Sequence, residues 1–136
     1  MNDFQKNRYD SNKLLALFDK AELQEDKGDF FKSFEANDEE LAIYFPAKNG
    51  VVERKDINRA RSLLAQIRAL DNLVQDSCKA DFEKSDYHVR NFLLYLAYIE
   101  IKDNEVSLRY FGERVNTEWD AIFRENNSGN WEKVNF

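Results

Sequence analysis

One cysteine, one histidine and one proline occur among 136 residues, and each scarcity removes a class of chemistry. Cys78 has no partner for a disulfide within the chain, so the fold must rest on its core and a reducing compartment is expected. Cys78 and His88 bring no third group at nucleophile or metal-ligand spacing, so neither a Cys-His site nor a zinc site is specified. They read as a helix-packed thiol and a surface histidine. The four glycines are scattered at turn positions, which excludes a glycine-rich phosphate loop. Long apolar runs are missing too, none approaching the roughly 18 residues of a transmembrane helix. Asp3, Lys6, Arg8, Asp10, Lys13, Asp19 and Lys20 interrupt the stretch where a secretory signal would need an apolar segment. A cytoplasmic protein without membrane contact is expected.

Basic surplus is the last absence. The net charge is -6, and all of it falls between Asp19 and Glu40, where nine acids face Lys20, Lys27 and Lys32. The remainder balances, with 17 acids against 17 bases. Such a field repels nucleic acid and speeds encounter with a basic partner; an acidic solubilising surface is the plain alternative. Carboxylate pairs (Glu39-Glu40, Glu25-Asp26, Glu118 with Asp120) abound, but nothing sets them across a cleft as a glycosidase requires. No catalytic residue, metal ligand or cofactor is predicted, and the chain is not expected to be an enzyme.

What is present is pattern. The length fits one domain, residues 1–136, able to bury roughly two-thirds of its unfolded surface. Residues 1–12 are polar and expected as a flexible arm. Leu14, Leu15, Leu17 and Phe18 form a compact apolar group compatible with a short helix or a first strand. Glu22 to Asp29 is charged, contains Gly28 and reads as a loop. Two apolar runs, Phe30 to Phe34 and Leu41 to Phe45, bracket Asn37-Asp38 as in an N-terminal β-hairpin that Pro46 terminates, and Lys48-Asn49-Gly50 is the next turn.

From Asp56, the expected N-cap, the period changes. Ile57, Ala60, Leu63, Leu64, Ile67, Leu70, Leu73 and Val74 recur at threes and fours, which predicts one long amphipathic helix over about 56–75, extendable to Phe82. Arg59, Arg61, Gln66, Arg68, Asp71, Asn72 and Gln75 form its solvated face. Phe92 to Ile101 is apolar on both sides, as a central strand covered on both faces would be; a helix over Tyr87 to Ala97 leading into a short strand is the alternative.

Period-two alternation then marks strands at Glu105 to Tyr110 and Val115 to Arg124, after a tight turn at Asp103-Asn104. With Phe111 to Arg114 as the loop, Tyr110 faces Val115, Leu108 faces Thr117 and Val106 faces Trp119, so both apolar sets share one side. The same register sets Glu105 opposite Asp120, a like-charge pair that Arg109, diagonal to Glu118, offsets. Asn126-Asn127-Ser128-Gly129 is a turn, and Trp131 to Phe136 a short final strand whose Trp131 reaches the Trp119 and Phe123 face. The aromatics Tyr95, Tyr98, Tyr110, Phe111, Trp119, Phe123 and Trp131 read as core, since base stacking would need a basic groove.

One string goes beyond composition: Tyr110-Phe111-Gly112-Glu113-Arg114-Val115-Asn116-Thr117-Glu118-Trp119, followed by Phe123, Gly129 and Trp131. It resembles the C-terminal pattern Tyr-x-Gly-x-x-Val-Asn-Thr-x-(Trp/Phe) of small bacterial proteins, some of which accompany polymorphic or contact-dependent growth inhibition toxins as immunity proteins. The resemblance implies a role and no site, and its residues have structural parts to play: Gly112 in a turn, Trp119 anchoring sheet to helix.

The expectation is therefore an α+β domain: an antiparallel β-meander packed against one long amphipathic helix, with an N-terminal hairpin. Its expected function is that of an immunity protein, monomeric, that binds a basic toxin domain, a nuclease above all, and blocks its active site. Glu22, Glu25, Asp26, Asp29, Asp38, Glu39 and Glu40 are the expected partner-binding residues. A small structural or adaptor subunit working through a sheet edge or helix face is the alternative.

Overall fold

A computed structural model describes residues 7–84, 94–112 and 118–135. The chain enters through helix α1 (Ser11–Lys20), which Asp10 caps by accepting from the Lys13 amide at 3.2 Å. Leu14 and Phe18, one turn apart, form its buried side, which decides between helix and strand for this segment. The polar residues before it are not a free arm from Asn7 onward. Tyr9 is buried and its hydroxyl accepts from the Leu96 amide, while the Asn7 amide donates to Asn72 at 2.8 Å.

Three short strands follow: β1 (Gln24–Asp26), β2 (Asp29–Ala36) and β3 (Glu39–Phe45). The Glu22 to Asp29 stretch, read as a loop, is largely a strand and its hairpin turn. Lys27-Gly28 and Asn37-Asp38 join the three strands, and all four residues have positive φ. Two consecutive left-handed residues make a two-residue turn whose twist matches that of the strands it connects. Pro46, with no amide hydrogen to donate, ends β3. The chain then makes the small hairpin β4 (Ala47–Lys48) and β5 (Val51–Val52) around Asn49-Gly50.

The expected single long helix is two, α2 (Arg54–Ala65) and α3 (Ile67–Lys84), so the described residues hold three helices with α1. The break falls at Gln66, whose side chain leaves the helix to bind the far end of the chain. Its Nε2 donates to the Gly129 carbonyl at 3.1 Å, and its Oε1 accepts from the Trp131 amide. Glu53, not Asp56, stands at the N-cap; Asp56 lies inside the first turn, buried and paired with Arg59 at 3.1 Å. Burial nevertheless keeps its period of threes and fours across the break, from Ala60, Leu63 and Leu64 of α2 into α3. In α3 the buried residues are Ile67, Leu70, Asp71, Val74, Gln75 and Cys78, so Asp71 and Gln75 belong to the interior, contrary to the expected solvated face, while Leu73 is exposed.

The crossover α2–α3 returns the chain as β6 (Leu94–Ile101), parallel to β3 and at the centre of the sheet. Strands β7 (Val106–Gly112), β8 (Glu118–Glu125) and β9 (Trp131–Asn135) continue antiparallel, in the order β1-β2-β3-β6-β7-β8-β9. The hairpin around Asn37-Asp38 is thus preceded by α1 and extended by β1, instead of opening the fold. The helical alternative for Tyr87 to Ala97 fails where it can be read, since Leu94 to Ala97 is strand; residues 87–93 lie outside the described residues, as does His88.

Two details of the sheet position everything else. Pairing of β6 with β7 shifts register between Leu96 and Tyr98, a bulge at Ala97. Because of it Leu94, Leu96, Ile99 and Ile101 all point to one face and Tyr95 and Tyr98 to the other, although plain alternation would mix them. Pairing of β7 with β8 sets Tyr110 opposite Trp119, Leu108 opposite Ala121 and Val106 opposite Phe123. That is four residues from the expected register, with Gly112 ending β7 instead of making the turn. Glu113 to Thr117 lie outside the described residues.

All three helices pack on the face formed by Leu41, Ile43, Leu96, Ile99, Leu108, Tyr110 and Phe123, the centre of the core. Trp131 joins that core, its indole Nε1 donating to Ser62 of α2 at 3.1 Å.

Candidate protein-binding face

The opposite face of the sheet carries no helix among the described residues. Strand alternation brings to it Phe31 of β2, Tyr44 of β3, Tyr95 and Tyr98 of β6 and Phe111 of β7, each half-buried. Their rings touch in sequence across the strands. Phe31 and Tyr44 centroids are 5.4 Å apart, Tyr44 and Tyr98 5.9 Å, and Tyr98 and Phe111 6.3 Å, with Tyr95 against Phe111 at 6.2 Å. Most of these pairs are edge-to-face, the arrangement in which the positive edge of one ring meets the negative face of the next. Tyr95, Tyr98 and Phe111 were expected in the core; the bulge at Ala97 and the parity of β7 send them outward. Of the seven aromatics read as core, Tyr110, Phe123 and Trp131 are buried and Trp119 packs against them in part.

Charge is arranged around this stripe. Arg109 of β7 forks to its neighbours on β8, Nη1 to Glu118 at 2.8 Å and Nη2 to Asp120 at 2.7 Å. One cation is thereby held between two carboxylates, and the pair Glu118 and Asp120 is an ion-pair clamp across two strands. By strand parity Asp26, Asp29, Glu35, Glu40 and Glu100 also belong to this face, and none is in an ion pair among the described residues.

At one end of the stripe the sheet opens into a cleft of about 680 Å³. Here β3 and β6, neighbouring parallel strands, end side by side and their chains depart in different directions, β3 into Pro46 and β6 into the turn toward β7. A crevice at the carboxyl ends of parallel strands follows from that divergence. Among the described residues Asp29, Glu100 and Asp103 supply its acids, Lys102 its single base, and Phe30, Tyr44, Phe45 and Tyr98 its aromatic walls.

The seven acids expected to bind a partner do not form one patch. Glu25, Asp26 and Asp29 flank the β1–β2 turn, whereas Asp38, Glu39 and Glu40 sit at the β2–β3 turn. These are opposite ends of β2, roughly 23 Å apart at the rise of an extended strand. Glu22 precedes β1. Only Asp29 lines the cleft, in company with Glu100 and Asp103, which charge density along the chain had not marked.

A second polar concentration lies on the helix-covered side. The Tyr110 hydroxyl donates to Asp71 Oδ1 at 2.6 Å, and Gln75 Nε2 lies 3.4 Å from the same oxygen and from the Leu94 carbonyl, to which Arg8 also donates. Burial pushes the Asp71 carboxyl up to about 6 despite the Tyr110 and Gln75 hydrogen bonds, which favour the charged form. Burial likewise raises the Tyr9 hydroxyl to about 12, and burial with the neighbouring Asp71 raises Tyr110 well above its ordinary value. Asp71 Oδ2 and Gln75 Oε1 have no hydrogen-bond partner among the described residues. This network pins α3 to β6 and β7 from inside. Cys78 is buried on the same helix.

No family model matches the chain, and neither a curated protein nor a solved structure matches it. No helix among the described residues is long and apolar enough to cross a membrane. They gather no group of three or more His, Cys, Asp or Glu side chains that could hold a metal.

Proposed function

We propose that this chain is a protein-binding inhibitor of the immunity class, a non-enzymatic partner that captures a basic toxin domain and blocks its active site. The observation that carries the reading is the sheet face on which no helix packs among the described residues, with its aromatic stripe and acidic flanks. Antiparallel sheets with one face on a core ordinarily turn polar residues to water on the other. Here four adjacent strands turn aromatic rings outward instead, as protein interfaces do, where Tyr and Phe are enriched. The local charge supports a basic partner, because complementary fields accelerate encounter and carboxylates stand in for the phosphates of a nuclease substrate. The C-terminal string from Tyr110 to Trp131 supports the immunity role by its resemblance.

The test is co-expression of the chain with the product of the neighbouring gene in its native cells. A stoichiometric complex on affinity capture, together with rescue of cells from that product, is the expected result. Capture of the chain alone, with no protection, overturns the immunity reading.

A further inference from the structure

We propose that the cleft at the carboxyl ends of β3 and β6 is a receptor for a single arginine side chain of the bound protein. This rests on the reading of the sheet face as a protein-binding surface and says which group that surface anchors. Tyr44 and Tyr98 stand with ring planes 84° apart and centroids at 5.9 Å, a floor and a wall for a flat cation. Asp29, Glu100 and Asp103 lie on the same cleft, and none of the three has an ion pair among the described residues.

The position is held from beneath. Arg59 donates to the Lys102 carbonyl, and the Lys102 amide donates to the Glu105 carbonyl at 2.9 Å, so the turn bearing Lys102 and Asp103 is fixed to α2 and to itself. A guanidinium is planar, weakly hydrated, stacks on aromatic faces and forks to carboxylates. An ammonium shares the charge but neither the plane nor the fork, which is why arginine and not lysine is the occupant. Lys102 is the one cation on the rim among the described residues and opposes binding. Arg109, on the same face, is already neutralised by Glu118 and Asp120 and supplies no competing field.

The probe is the tripeptide acetyl-Gly-Arg-Gly-amide, titrated into the full-length ¹⁵N-labelled chain at low salt, with the citrulline peptide as a neutral isostere and the lysine peptide alongside. Saturable shifts are expected at the amides of Asp29, Phe30, Tyr44, Phe45 and Glu100 to Asp103. Affinity should fall about tenfold with citrulline, as expected when a cation loses both its ring and its carboxylates. The double variant Asp29→Asn, Glu100→Gln should weaken the arginine peptide by about three- to tenfold at an unchanged melting temperature, and Lys102→Glu should tighten it.

Equal binding of the citrulline peptide, shifts indifferent to the double variant, or no saturable binding overturns the proposal. Lysine binding as tightly as arginine overturns its choice of side chain. Capture of a toxin by a chain that ignores the peptide would leave the immunity role standing and remove the receptor; peptide binding without any captured toxin would do the reverse.

Discussion

The two faces of one sheet have been built to opposite specifications. On the helix side, Leu96, Ile99, Leu108, Tyr110 and Phe123 are closed off from water, and even the polar groups there, Asp71 and Gln75, are enclosed. On the other side Phe31, Tyr44, Tyr98 and Phe111 are comparably large and apolar, touch one another, and yet remain half open. Side chains of similar chemistry thus serve stability on one face and are left in contact with water on the other. A contiguous apolar stripe that no helix covers among the described residues is the ground on which the proposed interaction surface rests.

The largest expected effect tests that division directly. Phe123→Ala opens a cavity in a closed core and should cost about 3–5 kcal/mol in urea denaturation. Tyr98→Ala removes two ring contacts from an open face and should cost about 1–2 kcal/mol, while abolishing capture of the partner. Equal losses of stability would mean that the stripe is simply a second core, and the distinction between the faces would collapse.

Next in size is a pH effect confined to the helix side. Asp71 is held at about 6 in the folded chain, against roughly 3.9 when unfolded. Below about pH 4 it is protonated in both states. As pH rises from about 4 through 6 the unfolded chain ionises first, so stability falls by up to about 3 kcal/mol across that window and levels off above it. Asp71→Asn should flatten this slope and leave the variant as stable as the parent or more so at pH 7. Tyr110→Phe, which removes a donor to the carboxylate, should steepen the slope and cost about 1–3 kcal/mol. Melting temperatures collected from pH 4 to 8 decide it; a slope that survives in the Asn variant belongs to another group.

Much of the scaffold could be read from residue periods, and the misreadings have identifiable causes. Alternation located β7 and most of β8, and the turn chemistry of Asn37-Asp38 and of Asn126 to Gly129 located their hairpins. Alternation cannot distinguish registers that differ by an even number, because every side chain keeps its face. The four-residue shift between β7 and β8 was therefore invisible to it. Charge did carry a sign of the error: the expected register opposed Glu105 to Asp120, whereas the true one opposes Arg109 to Asp120. The break at Gln66 and the docking of Tyr9 depend on partners 65 and 87 residues away, which no local pattern reports. The candidate site was hidden by the bulge at Ala97, since a strand apolar at nearly every position looks doubly buried when one inserted residue has divided it into a core side and an open side. Asp29 was marked by the acidic run; Glu100 and Asp103, in a charge-balanced region, were not.

The smallest effect on stability comes with the sharpest use of the open face. Glu25, Asp26 and Asp29 cluster at the cleft end of β2, while Asp38, Glu39 and Glu40 lie at its other end. Replacing either trio by Asn and Gln should move stability by no more than about 0.5 kcal/mol, as expected for surface substitutions. If the whole acidic run simply attracts a basic protein, both variants lose association rate alike, because long-range steering depends on total charge. If the cleft is where the partner docks, the first trio should slow capture by about three- to tenfold and flatten its salt dependence, and the second should do so far less, since charges roughly 23 Å away are screened beyond a Debye length of about 8 Å at physiological salt. Association rates measured against the captured partner from 20 to 300 mM salt, conditions chosen to span about 20 to 6 Å of screening, separate the two outcomes. Equal slowing would leave the acids a diffuse attractor and return the search for the docking point to the aromatic stripe itself.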